Sequence, residues 1–320
     1  MELDTRDRKL LYSMDFSARQ PLSQIARSLR ISKQALTYRL ERLEKENIIQ
    51  GYYCDINPSK IGLTIYLVYF KFHKLSPDKE KNFTSFLTTK EGVGVNVSLQ
   101  GEWDYCIGIW AKDIFHFKRL YRETMKHYET YVKEKRIMIE TDFFYFKPQA
   151  ILNLKENKQI TMEGSMEVIE IDAIDQEIIR SLSKNARISL VELAQKTHLS
   201  PNAIKARIKY LEKEKIILGY RVMINYQVLG FLHHRIFLHL ENITEDKEKK
   251  IIHFLKSRKE VLSVTKTIGF CELEFRSITL DIHEHYKLLE ELKTAFPDTI
   301  KSHNSVIYYK FHQTLNYFPF

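Results

Sequence analysis

Apolar residues in the first fifty positions recur at helical spacing in three short blocks. Asp4 is an N-cap candidate before Leu10, Leu11 and Met14, and Pro21 opens a second block carrying Leu22, Ile25, Ala26 and Leu29. A tight break at Ile31-Ser32 leads to a third helix, with Ser32 as cap and Ala35, Leu36, Leu40 and Leu43 as its buried stripe. The next stretch, IIQGYYCDIN, sets a Gly turn between β-prone residues and predicts a wing hairpin. From about residue 64 the pattern changes. Ile65 to Phe72 reads as a strand and Asp78 to Thr88 as a helix. Val93 to Leu99 and Tyr105 to Trp110 read as strands around QGEWD, Ile114 to Tyr131 as a helix, and Arg136 to Phe146 as a closing strand. That order is β-α-β-β-α-β, the ferredoxin-like split arrangement.

The whole pattern then occurs again. Sliding the chain by 168 residues aligns Leu3–Gly62 with Ile171–Gly230 without a gap, giving 21 identities in 60 positions, against roughly four expected by chance. The same offset pairs Asp78-Lys79-Glu80-Lys81 with Asp246-Lys247-Glu248-Lys249, and Gly101 with Gly269. In the second copy Asp172 and Ser200 take the capping positions, Ser189 starts the second helix, and the stripe of the third is Ala203, Ile204, Ile208 and Leu211. Its wing reads IILGYRVMIN, and its closing strand runs to about Phe318. The expected organisation is α+β: winged helix-turn-helix at 1–60, βαββαβ at 61–149, linker at 150–170, winged helix-turn-helix at 171–228 and βαββαβ at 229–320. The 21-residue linker is polar and weakly periodic; fully stretched it reaches about 70 Å, enough for the copies to pair with each other.

Charge sharpens this picture. The chain of 320 residues carries a formal +9. Leu3–Gly62 and Ile171–Gly230 hold +4 each, and the other 200 residues only +1. Excess cation confined to two helix-turn-helix modules predicts double-stranded DNA as partner, with the third helix of each offered to the major groove. Its outward positions are Lys33, Gln34, Thr37, Tyr38 and Arg42 in copy one, beside Ser32. In copy two they are Pro201, Asn202, Lys205, Ala206 and Lys209, beside Ser200. Gln and Asn can pair with adenine, and Lys and Arg with guanine or phosphate. Arg39 and Arg207 share one slot, where a phosphate contact and an ion pair with a nearby Glu both fit. A bare three-helix packing module is the plainer reading of these segments.

The motifs LD..D..LL, R.PLSQIA, IS..AL..RLERLE..NIIQGY and GEWDY resemble the leucine-responsive regulatory protein (Lrp/AsnC) family of transcription regulators, over nearly all of both copies. The resemblance implies dimerising βαββαβ domains, hence a homo-oligomer, and a small effector such as an amino acid near the strand-turn-strand. That places Gly101 and Asp104, and Gly269 and Glu272, at candidate effector turns; a tight turn whose Gly merely permits its backbone angle is the alternative. Two departures stand out. Two unequal units are fused in one chain. Asn47 and Lys215 also replace the Gly common in the family before the wing, and because Lys tolerates a left-handed cap poorly, the copy-two helix is expected to end differently.

An enzymatic reading is the rival, because siroheme decarboxylases resemble this family in fold. His233-His234 and the many Tyr and Arg suit a tetrapyrrole, whereas VSLQGEWD replaces the His- and Arg-rich strand associated with those enzymes. There is no GxGxxG, P-loop, HExxH or GxSxG, and His283 and His285 lie two apart on a predicted helix, so no catalytic residue, cofactor or metal is expected. The 18 Tyr and 19 Phe could stack on bases, but their alternation in strands favours sheet packing. Three scattered cysteines and the lack of a long apolar run predict a cytoplasmic chain with no membrane partner and no signal peptide. Asn316-Tyr317-Phe318-Pro319-Phe320 is a candidate for docking on a neighbouring subunit.

Overall fold

The capping residues set where the first helices begin. In a computed structural model describing residues 3–90, 92–152, 159–165 and 167–313, α1 (Thr5–Met14) starts after Asp4, whose carboxylate accepts the Asp7 N–H at 2.7 Å. Helices α2 (Leu22–Leu29) and α3 (Lys33–Lys45) follow, and Leu10, Leu11, Met14, Ile25, Leu36 and Leu43 close the small core between them. Ala35, expected in the buried stripe of α3, is exposed. It lies in the first turn of the helix, next to the Ser32 cap.

Copy one continues with β1 (Ile49–Ile56), β2 (Thr64–Phe72), α4 (Pro77–Leu87), β3 (Val93–Gly101), β4 (Tyr105–Ala111), α5 (Ile114–Met125) and β5 (Val132–Phe146). After α6 (Gln149–Leu152) and β6 (Gln159–Met162), copy two repeats the order. It comprises α7 (Ala173–Lys184), α8 (Leu190–Thr197), α9 (Pro201–Lys213), β7 (Ile217–Ile224), β8 (Leu232–Leu240), α10 (Glu245–Lys256), β9 (Val261–Gly269), β10 (Leu273–Thr279), α11 (Ile282–Ala295) and β11 (Ile300–Gln313). The apolar C-terminal segment named above lies outside the described residues.

Neither wing folds back on itself, which corrects the expected hairpins. Strand β1 pairs antiparallel with β7, Tyr52 opposite Val222, in a two-stranded ribbon shared between the copies. Each strand is followed by a turn into the barrel, so the partner able to satisfy its backbone N–H and C=O groups is the equivalent strand 168 residues away. Bonds related by the repeat flank the ribbon: Ala18 N–H to Tyr220 O and Ala186 N–H to Tyr52 O, both 2.9 Å.

The eight long strands close into one barrel. Their order is β2-β4-β3-β11-β8-β10-β9-β5, and β5 also pairs with β2. The copies meet at two seams, β3–β11 and β5–β9, where Val306 faces Gly101 and Met138 faces Gly269. Closure removes every free edge of these strands. Helices α10 and α11 cover the outer face of copy two through Ile251, Leu255, Leu288 and Leu292, and Phe83, Leu87, Phe117 and Leu120 do the same on copy one.

Two further expectations change. The segment read as a linker contributes β6, which pairs with β5 from Phe143 to Phe146. Its alternation is only four residues long, too short to stand out locally. Helix α9 also ends as α3 does: Lys215 (φ 57°) and Asn47 (φ 56°) are both left-handed. Each is over-determined by the bond from the next residue, Ile48 N–H to Leu43 O and Ile216 N–H to Leu211 O, both 2.9 Å, with both isoleucines fully buried.

Candidate nucleic-acid interface

Each third helix begins with a serine that satisfies its first turn. Ser32 Oγ accepts the Ala35 N–H at 3.0 Å, and Ser200 Oγ accepts the Ala203 N–H at 3.2 Å. The next turns face outward. Lys33, Gln34 and Tyr38 are exposed, Tyr38 at 69%, and Thr37 is half-buried. In α9, Pro201, Asn202, Lys205, Ala206 and Lys209 are all exposed. Repeat-related positions therefore present different chemistry: Thr37 against Lys205, Tyr38 against Ala206, Glu41 against Lys209.

The arginines lie elsewhere. Arg39 Nη1 donates to Asp4 and Asp7 at 2.7 Å each, and Arg42 also donates to Asp7, whose side chain is 1% exposed. Arg207 repeats the arrangement on Asp172 (2.8 Å) and Asp175 (2.9 Å). The expected partner was a Glu; the observed partners are the capping and first-turn aspartates of α1 and α7. Burial opposes ionisation of Asp4, but the Asp7 N–H and the Arg39 guanidinium hold its carboxyl down at about 2. These pairs lock each third helix to the first helix of its module.

The two modules are fastened to each other as well. Arg19 donates to the carbonyls of Ala186 (2.7 Å) and Ile188 (2.6 Å), and Arg187 donates to Ala18 O at 2.6 Å. Across the ribbon, Arg221 of copy two donates to Asp15 of copy one at 2.9 Å, with both side chains buried. Desolvation pushes the carboxyl of neighbouring Asp55 up to about 6 although Arg221 opposes the shift.

At the candidate effector turns, Asp104 Oδ2 accepts the Phe72 N–H at 2.8 Å and Glu272 accepts the Leu240 N–H at 2.7 Å. Gly101 (φ +127°) and Gly269 (φ +118°) lie against the opposite copy, where a Cβ would stand 3.2 Å from Ser305 O and 2.8 Å from Ile137 O. The turns therefore sit at the two inter-copy seams, far along the chain from α3 and α9.

Sequence reasoning missed a charged group inside the barrel. Arg235 donates to Glu274 through two nitrogens and lies 3.3 Å from Glu140, all buried. Burial, with Glu274 nearby, pushes the Glu140 carboxyl up. The equivalents of Arg235 and Glu274 in copy one, Leu67 and Cys106, carry no charge, and Glu140 is matched in copy two by Tyr308. The signal was available as alternate polar residues in LHHRIFLHL and LEFRSIT, strands otherwise made of core residues.

Known proteins match this architecture in halves and as a whole. A model for a winged helix-turn-helix DNA-binding domain matches residues 3–50, and one for an AsnC-type helix-turn-helix domain matches 171–212. An uncharacterized HTH-type transcriptional regulator of Pyrococcus furiosus is 35% identical over 127 residues, 39% of this chain and 82% of that protein. The regulatory protein AsnC of Haemophilus influenzae is 30% identical over 137 residues, 43% of this chain and 90% of that one. Each relative thus corresponds to a single copy. Over the whole length, the crystal structure of a siroheme decarboxylase superposes with a TM-score of 0.61, covering 97% of this chain and 93% of that one at 12% identity, a likeness of fold. With helix-turn-helix modules at both predicted places and relatives matched over most of their length, the chain belongs to the Lrp/AsnC family, as two tandem units folded into one pseudo-dimer.

Proposed function

We propose that this protein is a sequence-specific, double-stranded DNA-binding transcription regulator whose two unequal modules read an asymmetric operator. The observation that carries the reading is the pair of capped, outward-facing third helices on modules of +4 each, joined through the β1–β7 ribbon. Gln34 and Asn202 occupy matching slots and suit adenine, whereas Lys33, Lys205 and Lys209 suit guanine or phosphate. Ser32, Thr37, Tyr38 and Ser200 complete the contact surface. Arg39, Arg42 and Arg207 serve it by positioning the helices. Regulation by a small effector belongs to the same reading. At the seam turns, however, the Asp104 and Glu272 carboxylates already serve backbone N–H groups, which favours a joint between the copies there. The test is the salt dependence of DNA binding. Lys33→Ala and Lys205→Ala are each expected to lower the slope of log K against log salt by about one unit; unchanged slopes would remove α3 and α9 from the groove.

A second reading as a tetrapyrrole enzyme rests on the fold likeness to the siroheme decarboxylase. An absorbance titration with iron-uroporphyrin separates the two: the regulator reading expects no saturable spectral shift.

A further inference from the structure

Between the β1–β7 ribbon and the mouth of the barrel lies a cavity of about 60 Å³. The ribbon side is formed by Tyr53 and Arg221, and the barrel side by Tyr145, His233, Arg276 and Phe311. It adjoins a second space of about 150 Å³ that shares His233 and Phe311 and reaches the surface beside the exposed Tyr309. Among the described residues, two guanidiniums line the cavity and no carboxylate does. Behind Arg221 stand Asp15 and Asp55, and Glu140 faces the neighbouring space inside the barrel.

The polar atoms here are incompletely used. Arg276 is 7% exposed; its Nε donates to Ser263 Oγ at 2.7 Å, and its guanidinium lies over the rings of Phe143 and Tyr145. Among the described residues no carboxylate lies within ion-pairing distance of it, whereas Arg235 and Arg221 each have two. Arg221 Nη1 is buried without a hydrogen-bond partner, and so is His233 Nε2. Desolvation and the Arg276 charge keep the His233 imidazole neutral, so Nε2 can carry its proton and donate it. A buried cation without its own anion, beside two unused nitrogens and aromatic walls, is a costly arrangement for an empty space and a suitable one for an anion with an apolar body.

We propose that this cavity binds a small organic monoanion, a carboxylate on a short apolar body. The carboxylate sits on Arg276 within reach of His233 Nε2, and the body lies against Tyr145 and Phe311. Size sets the class: 60 Å³ is the space of about four waters, which admits roughly four to six heavy atoms. Location sets the consequence. Strand β1 begins four residues after α3 ends, and β7 four after α9. A ligand wedged under the ribbon therefore bears on both third helices. That consequence, though not the binding itself, rests on the regulator reading.

The experiment titrates the full chain with propionate, and separately with propan-1-ol as an uncharged probe of similar size, followed by saturation-transfer NMR without DNA. Propionate is expected to bind saturably with a Kd of about 1 mM or tighter, and propan-1-ol at least about tenfold more weakly. Arg276→Met is expected to abolish the difference between the probes, and Arg276→Lys to restore part of it. A cavity that holds water only would give no saturable propionate binding; that result, or equal affinity for the two probes, overturns the proposal without needing any variant to fold. Because no DNA is present, failure here leaves the DNA-reading proposal standing, and failure of that proposal leaves this titration interpretable.

Discussion

Replacing Arg207 by Met should destabilise the protein more than replacing Arg39, although the two arginines are repeat equivalents. Each holds a capping aspartate that is about half exposed (Asp4 50%, Asp172 51%), and that exposed pair contributes about 0.5 kcal/mol. The difference lies at the second aspartate. Asp7 keeps Arg42 when Arg39 is removed, so the further loss is one charge-assisted hydrogen bond, about 1.5 kcal/mol. In copy two Tyr210 stands where Arg42 does, and among the described residues no second cation pairs with Asp175, whose side chain is 9% exposed. Leaving that carboxylate unpaired costs about 3 kcal/mol. Urea unfolding of the full chain, followed by circular dichroism, should therefore give a loss of about 2 kcal/mol for Arg39→Met and about 3.5 kcal/mol for Arg207→Met. Neither variant should change the salt slope of DNA binding, since both guanidiniums are turned to their aspartates. Equal destabilisation, or a slope lowered by about one unit, would refute this account and return the arginines to the phosphates.

Two other perturbations address the body of the molecule. Asp55 has a folded-state pKa of about 6, above the ordinary carboxylate value, so the folded chain binds the extra proton and stability falls as pH rises from about 4 to about 6. Asp55→Asn should flatten that fall, by up to about 3 kcal/mol between pH 4 and pH 7 in urea melts; an identical pH dependence in the variant would show that Asp55 is ordinary. Gly269→Ala puts a Cβ 2.8 Å from the Ile137 carbonyl at φ +118° and should cost about 2–3 kcal/mol. Gly101→Ala, at 3.2 Å from Ser305 O, should cost less, and the reverse ranking in thermal melts would contradict the seam geometry.

Much of the fold was legible because its signals are local. Asp4, Ser32, Asp172 and Ser200 cap helices from within three residues, and the alternation in IYLVYFKF belongs to one strand whatever it pairs with. Pairing across 168 residues leaves no such mark. Thus IIQGYYCDIN looked like a hairpin closed on itself, and barrel closure through β3–β11 and β5–β9 had no local trace. The candidate site was legible as a surface, Lys33, Gln34, Asn202 and Lys205 all being exposed, but the direction of a long arginine was not. Arg39 could have faced solvent or Asp7, and only packing against α1 decides between them. Lys215 adopts the left-handed cap despite its poor intrinsic preference because Ile216 is buried behind it, a tertiary constraint overriding a local one. The Arg235–Glu274 pair escaped notice because a duplicated chain invites averaging of its halves, and these charges belong to one half alone.

Two unequal modules in one pseudo-dimer are expected to read two different half-sites. Selection of bound sequences from random DNA, followed by footprinting of the selected site with wild type, Gln34→Ala and Asn202→Ala, tests it most directly. The expected result is a non-palindromic site in which Gln34→Ala relaxes preference in one half and Asn202→Ala in the other, each by about 1–3 kcal/mol at a single base pair. A palindromic site, with both substitutions relaxing the same positions equally, would contradict it.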